Sequence, residues 1–436
     1  MGKRVNVAVV GAGKMGLPLA CVFADNGAKV LACDKSERTV ALINSGKAPF
    51  DEPGLSELLA RVVNEHRLAA TTDTSTAVAE SEVCVVIVPV LLTGEKDADL
   101  SVIESATRDV ARGLKRGALV AFETTIPVGQ TRKLGAVLET GGLRAGIDFD
   151  LAFSPERVKS QAVLRNLKVN AKVVGGLTRS GLERASAFYS EYLGAPVIEM
   201  ESLEAAEFVK LAGMVYRDVN IALANELANY ARHIGVDFDA VRAAANTDGE
   251  AKILVPGIGV GGHCTPVYPH FLIADADRRG VEVLLAETGR EINDAQPVRT
   301  LALAGSLSAK RVVILGLGFR PQVKEAAYSP AYALRDEITR QGGLAFVNDP
   351  LFSPRELEQL GFRFAPVETG EVIVLNTAHD VFLNLDFDTL RNSGVEVVID
   401  GRSAWNPENV RAAGLQYFGI SKGQATSETP AEPVRR

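Results

Sequence analysis

Tryptophan occurs once, and methionine and cysteine four times each, in a chain of 436 residues. No apolar run approaches the ~18 residues that would cross a bilayer, so a membrane-spanning helix is not expected. The cysteines stand at 21, 33, 84 and 264, too far apart for a disulfide framework. Cys21, Cys33 and Cys84 fall in apolar helix or strand patterns and read as buried hydrophobes. Positive charge is not in excess either: 47 Lys and Arg face 54 Asp and Glu, a net charge of −7. That excludes a broad nucleic-acid surface and leaves anions to local sites built from Lys, Arg and helix N-termini. The opening residues, Met1-Gly2-Lys3-Arg4-Val5, run straight into a strand pattern with no signal-peptide apolar region, which predicts a cytoplasmic protein. No metal site is expected.

Glycine, by contrast, is plentiful, at 40 residues, as suits an α/β chain with many tight turns. The length predicts two or three domains. Residues 4–10 form a short β run, followed by Gly11-Ala12-Gly13-Lys14-Met15-Gly16, a helical stretch to about Asn26, and a second β run at 29–33 that ends on Asp34. Strand, glycine turn, helix, strand and acid in that order give a dinucleotide-binding pattern. Gly11 allows the tight turn, Gly13 lets backbone approach a pyrophosphate, and Gly16 permits close helix–strand packing. Asp34 can accept from an adenosine ribose hydroxyl, which favours NAD; Lys35 and Arg38 behind it leave NADP open.

Further β runs at 82–88, 118–122, 149–153 and 171–174 alternate with helical patterns, which predicts one doubly wound domain over residues 1–196. Residues 202–235 and about 269–305 read as helical, giving a central helical domain over 197–305. A second α/β pattern starts at 311–315, with Gly316 and Gly318 in its first turn, and continues through 345–347, 371–375 and 396–400. It sets a third domain at 306–420. Residues 421–436, rich in Ser, Thr, Glu and Pro, read as a disordered tail.

Cys264 closes the run Pro256-Gly257-Ile258-Gly259-Val260-Gly261-Gly262-His263-Cys264. Glycines at 257, 259, 261 and 262 leave the backbone bare to a ligand. A thiol at the end of such a loop is placed to attack an electrophile rather than to pack. A cofactor that removes hydride, together with a thiol that traps a carbonyl, points to oxidation through a covalent thio intermediate. A plain buried turn cysteine is the bland alternative. His263 beside it reads as structural rather than as a base.

These landmarks, with Glu123-Thr124-Thr125-Ile126-Pro127-Val128-Gly129, Ser154-Pro155-Glu156-Arg157-Val158, Glu207-Phe208-Val209-Lys210-Leu211, Gly316-Leu317-Gly318-Phe319-Arg320 and Asp400-Gly401-Arg402, resemble the UDP-glucose/GDP-mannose dehydrogenase family from residue 5 to about 422. The resemblance implies two Rossmann-like doubly wound domains joined by a helical dimerisation domain. NAD would bind the first and a nucleotide sugar, most simply a UDP-sugar, the last, in a homodimer. The implied reaction is four-electron oxidation of a sugar C6 alcohol to a carboxylate. Cys264 would be the nucleophile and Lys210 the oxyanion donor. Glu156 would be the base for thioester hydrolysis, with Thr125 near the catalytic water and nicotinamide. Lys14, Met15 and Val88 would join Gly11, Gly13, Gly16, Asp34 and Thr125 around NAD. Arg157, Gly257, Gly259, Gly261, Gly262, Phe319, Arg320 and Arg402 would face the sugar nucleotide. Each has a bland counterpart: Lys210 paired with Glu207 on a helix surface, Glu156 paired with Arg157, Thr125 in a plain turn, Arg320 and Arg402 solvated.

Three positions depart from the family pattern: Met214 stands where Asn is usual, Tyr268 where Asp is usual, and Ala327 where Arg is usual. Met214 cannot donate a hydrogen bond. The His-Cys wording of the loop resembles the UDP-N-acetylhexosamine branch, its N-acetylmannosamine enzymes above all. The rival readings are a dehydrogenase that stops at the aldehyde or takes an unusual sugar, and a silent homologue that binds NAD and sugar nucleotide. Retention of Cys264, Lys210 and Glu156 together argues against silence.

Overall fold

The computed structural model describes residues 5–422, which fall into two compact units. The first holds the chain up to Gly213 together with His270–Val281; the second holds Met214–Pro269 and the chain from Glu282 onward.

In the first unit the strands are β1 (Asn6–Val10), β2 (Lys29–Cys33), β3 (Leu68–Thr71), β4 (Val83–Val86), β5 (Leu91–Leu92), β6 (Ala98–Asp99), β7 (Leu119–Phe122), β8 (Asp150–Phe153), β9 (Lys172–Gly176) and β10 (Val197–Met200). β5 and β6 pair as a small ribbon; the other eight form one sheet in the order β10-β9-β8-β7-β4-β1-β2-β3. All its pairings are parallel except β8 with β9. β4 (Val-Cys-Val-Val) and β7 (Leu-Val-Ala-Phe) are buried along their whole length, as expected of parallel strands covered on both faces by helices. The helix Gly16–Asp25 is buried from Gly16 to Ala24, so its sequence is apolar on every side. Its Phe23 packs on Phe188 and Tyr189 in the core.

The second unit carries β11 (Arg311–Leu315), β12 (Leu344–Asn348), β13 (Val372–Leu375), β14 (Val397–Asp400) and β15 (Gln416–Gly419), all parallel, in the order β12-β11-β13-β14-β15. It also holds most of the long helix Leu203–His233 and the helix Leu284–Leu301. The doubly wound α/β class and the helical middle are as expected from the sequence.

The domain limits expected at 196 and 305 are not those of the compact units. β10 lies past residue 196 yet pairs with β9 as the last strand of the first sheet. The start of the long helix stays with that sheet because Glu207 accepts from the backbone N–H groups of Gly129 and Thr131, capping the helix Gln130–Glu139. Gly129 at the cap position has no side chain to do so. The segment His270–Val281 joins the same unit through Arg278, ion-paired with Asp97, and Arg279, which donates to the Val128 carbonyl. At the other end, Ser421 is buried and Lys422 pairs with Asp237, so ordered chain extends past the expected start of the tail. Its remainder, 423–436, lies outside the described residues.

Candidate active site

β1, β2, β4, β7 and β8 of the first sheet run parallel, so their following loops share one carboxyl edge, the usual ligand side of an open α/β sheet. Gly11 follows β1 at φ +105°, and a Cβ there would lie 2.5 Å from the Ile87 carbonyl oxygen. A Cβ on Gly16 would lie 1.9 Å from the Gly11 carbonyl oxygen, so the helix can start this close to the turn only with glycine. Gly13 differs: no atom lies within 4 Å of where its Cβ would be, so the backbone there faces open space. That opening, at the start of the helix Gly16–Asp25, suits a pyrophosphate. Asp34, just past β2, accepts from the N–H groups of Ala12 (3.2 Å) and Ser36 (2.9 Å). A carboxylate has about four lone-pair sites, so capacity remains for a ribose hydroxyl. Lys14 is exposed, and Met15 and Val88 are half-buried. The Val88 carbonyl accepts from the Thr124 hydroxyl at 2.7 Å, which ties the loop after β4 to the one carrying buried Thr125. These expected cofactor residues therefore gather on one edge and fit NAD.

The second unit repeats the device and closes it. Gly316 N–H donates to the Asn348 carbonyl at 2.7 Å, as Gly11 N–H does to that of Cys33 at 2.8 Å. Leu317 N–H donates to Asp349 at 2.6 Å. But a Cβ on Gly316 would meet Thr377 at 2.3 Å, Asn376 donates to the carbonyls of Gly316 and Gly318, and buried His379 lies 3.4 Å from Asp349. The second Gly-x-Gly turn is filled by protein.

Glu156 follows β8. Its carboxylate lies 3.4 Å from the ammonium of Lys172, which lies 2.6 Å from Glu123; Tyr189 donates to the other Glu123 oxygen at 2.8 Å. Burial pushes the Glu123 carboxyl up, against the pull of Lys172. Burial alone would depress the Lys172 ammonium, but the two carboxylates override it and raise its value. One ammonium is thus shared by two carboxyl groups. Lys210 is buried and donates to the Glu156 carbonyl at 2.8 Å. Lys210 is thus not the exposed helix-surface lysine of the bland reading, and the Glu207 carboxylate accepts from the N–H groups that begin the helix Gln130–Glu139. The pairing of Glu156 with Arg157 is wrong in its side chain. Only the Arg157 backbone N–H reaches Glu156 (2.6 Å), while its guanidinium donates to the Ala171 carbonyl. Arg157, expected to face the sugar nucleotide, is thus engaged with its own unit's backbone.

In the second unit, Cys264 is half-buried, and its carbonyl accepts from Tyr268 N–H at 2.9 Å. The other three thiols are sealed, as expected; burial pushes Cys21 and Cys33 up to about 12 and Cys84 in the same direction. The glycines before Cys264 serve packing more than was expected of a bare cradle. A Cβ on Gly257 would meet the Arg402 guanidinium at 2.9 Å, one on Gly259 would meet Pro330 at 3.0 Å, and one on Gly261 would meet Phe319 at 2.8 Å. At Gly262 the nearest atom, a Glu325 oxygen, is 3.9 Å away, and only there does the loop stay open. Arg402 lies over the Phe319 ring at 5.0 Å and donates to the carbonyls of Asn376 and Phe319. Burial depresses it to about 10, which Asp400 opposes, so it remains a cation at neutral pH. Arg320 lies 3.4 Å from Glu325, which also lies 3.5 Å from His263. At the three departures, Ala327 still accepts from Gly262 N–H through its backbone, and Met214 and Tyr268 are half-buried.

The structure thus brings together the cofactor residues, Glu156 and Lys210 in one unit, and the glycine loop with Phe319, Arg320 and Arg402 in the other. Sequence reading missed Lys172, Tyr189, Glu325 and Asn225. Asn225 accepts from Gly257 N–H at 2.9 Å and donates to Asn293, which donates to Asp218, so a buried polar relay anchors the loop to two helices.

Residues 5–193 match the model of the UDP-glucose/GDP-mannose dehydrogenase family NAD binding domain, 204–295 its central domain and 313–407 its UDP binding domain. The chain is 33% identical to a UDP-N-acetyl-D-mannosamine dehydrogenase of Pyrococcus horikoshii over 96% of this chain and 100% of that protein. The solved structure of that enzyme type from the same organism superposes with a TM-score of 0.87, covering 96% of this chain and 99% of the other. An NDP-N-acetyl-D-galactosaminuronic acid dehydrogenase of Ralstonia nicotianae is 33% identical over 93% of this chain and 97% of its own. A UDP-glucose dehydrogenase structure from Pyrobaculum islandicum gives a TM-score of 0.87 at 26% identity, covering 97% and 98% of the two chains.

Proposed function

The chain belongs to the UDP-glucose/GDP-mannose dehydrogenase family of NAD-dependent oxidoreductases, and on that premise we propose that it oxidises the C6 alcohol of a UDP-N-acetylhexosamine, N-acetylmannosamine first among them, to the uronic acid by way of Cys264. The observation that carries this reading is the contrast among thiols: three are sealed, and the half-buried one ends a glycine loop.

The turn at Gly11–Gly16 with Asp34 would hold NAD, which would supply hydride-acceptor chemistry to both oxidations: one NAD for the alcohol, whose proton passes to solvent, and a second, exchanged for the NADH formed, for the thiohemiacetal. The chain's own groups do the rest. Lys210, held by the Glu156 carbonyl, donates to the oxygen that carries developing negative charge. The Cys264 thiolate adds to the aldehyde carbon, and loss of hydride turns that adduct into a thioester. Water then attacks the thioester carbon, Glu156 takes its proton, and the C–S bond breaks to release the carboxylate and the thiol. Arg402, a cation held against Phe319 by backbone acceptors rather than by a carboxylate, is suited to a diphosphate. The likeness to the Pyrococcus and Ralstonia proteins supports an N-acetylated sugar. Tyr216, Leu223 and Tyr230, exposed at seven-residue spacing on the long helix, support a homodimer.

Met214 favours one other reading, arrest at the aldehyde, because it cannot donate where the family's Asn does. The test of the main reading is a panel of UDP-, GDP- and TDP-sugars with NAD, followed by NADH absorbance and product mass. UDP-N-acetyl-D-mannosamine is expected to give the uronate, 14 mass units heavier as the free acid since two hydrogens are exchanged for one oxygen. Turnover confined to GDP-sugars would overturn the substrate assignment.

A further inference from the structure

Glu156 does not stand alone at the end of β8. Its carboxylate is 11% exposed, against 6% for the side chain of Lys172 and 0% for that of Glu123. Of these three groups it is the one that water reaches most readily. We infer that Lys172 is a positioning residue that holds the Glu156 carboxylate in place and, with Glu123, sets how readily it takes a proton; the inference rests on Glu156 being the base.

The geometry argues for shared charge. Lys172 opens β9, which runs antiparallel to β8. This places its ammonium 2.6 Å from Glu123 and 3.4 Å from Glu156. The remaining groups that face the cluster are few. Tyr189, from the helix Arg179–Leu193, donates to Glu123 and lies with its ring centroid 5.0 Å from the Lys172 nitrogen. Lys210, from the long helix, reaches the Glu156 carbonyl. Arg157 offers its backbone N–H to Glu156, while its guanidinium turns to Ala171. Lys172 is therefore a cation directly paired with the Glu156 carboxylate, and Glu123 competes for it from the shorter distance.

That competition has a sign. Removing the cation leaves Glu156 beside a second buried carboxylate and makes it easier to protonate. Removing the Glu123 charge leaves the cation to Glu156 and makes it harder to protonate. An opposite or like charge at this range moves a carboxyl by about 1–3 pH units. A lysine that merely filled space would give no such reversal.

The experiment measures kcat against pH for the full-length chain, with NAD and the nucleotide sugar that the panel identifies. In Lys172→Met the acid limb is expected to move to higher pH by about one unit or more. In Glu123→Gln it should move to lower pH, and Lys172→Arg should restore the original limb, with KM for both substrates unchanged throughout. Limbs that stay put, or move the same way in both variants, overturn the inference. Glu123→Gln and Lys172→Arg keep nearly the same volume, so if Lys172→Met fails to fold, the limb of Glu123→Gln decides alone: a downward shift supports the inference, and any other result overturns it. Glu156→Gln separates the two layers. If that variant still forms acid at the original rate, the base assignment falls and the inference with it. If it is inactive while the limbs do not diverge, only the role of Lys172 falls.

Discussion

Burial separates Cys264 from the chain's other thiols. Cys21, Cys33 and Cys84 lie in the strands and helices of the first sheet, where desolvation penalises the thiolate that any attack requires. Cys264→Ala should therefore remove acid formation by about 10³-fold or more, the scale on which loss of a covalent nucleophile is felt. NADH absorbance with product mass measures it, and an unchanged rate of acid production would exclude the thioester route. Much at this scale was readable beforehand. Gly11 and Gly16 lie where local spacing puts them, in the tight turn after β1 and packed against that turn at the helix start, while Asp34, expected to accept from a ribose, accepts from the Ala12 and Ser36 N–H groups. Lys172 was not readable, because its partners Glu123 and Glu156 lie 49 and 16 residues away in sequence. Only the reversed strand β9 brings them together. The loop glycines were half-readable: their bareness was plain, but Arg402, Pro330 and Phe319, which exploit it, come from far along the chain.

Glu207 shows how one element depends on another. The helix Gln130–Glu139 begins at a glycine, and its cap comes from a carboxylate on the long helix. Burial pushes that carboxyl up from 4.5 to about 7, against the backbone donors that favour its ionised form. A folded-state value above the unfolded one means that the folded chain holds the proton more tightly. The stabilisation linked to that proton is complete below about pH 4 and declines as the pH rises through 7. Glu207→Gln cannot titrate, so the melting temperature of the unaltered chain relative to this variant should fall between pH 5 and pH 8. A difference that stays constant or grows across that range would show that the carboxylate is ionised throughout. The short elements were the ones sequence reading missed. β3 is Leu-Ala-Ala-Thr, with two alanines of weak strand preference, and β15 is Gln-Tyr-Phe-Gly. Both are edge strands whose place is decided by pairing with a neighbour rather than by their own pattern.

Across the whole molecule, the order of motifs gave two α/β domains and a helical middle, but not where the compact units divide. Periodicity marks where a helix starts, not which sheet it packs on, and the long helix contributes Glu207 and Lys210 to the first unit and Asp218 and Asn225 to the second. Lys210 and Cys264 thus come from different units of one chain. The Met214 departure bears on the reaction as a whole. A missing oxyanion donor typically slows the step it serves by about 10²–10³-fold without redirecting it. Lys210 keeps its place in this chain, held by the Glu156 carbonyl, and Glu156 keeps its cation. The second oxidation should therefore be slower but still completed, at two NADH per sugar consumed. In single-turnover mixing, the second NADH should follow the first as a separate, later phase. Arrest at the aldehyde would instead give one NADH and a carbonyl that hydroxylamine traps. Met214→Asn should bring the two phases closer together; if it left their separation unchanged, the slow step would lie elsewhere than at the oxyanion.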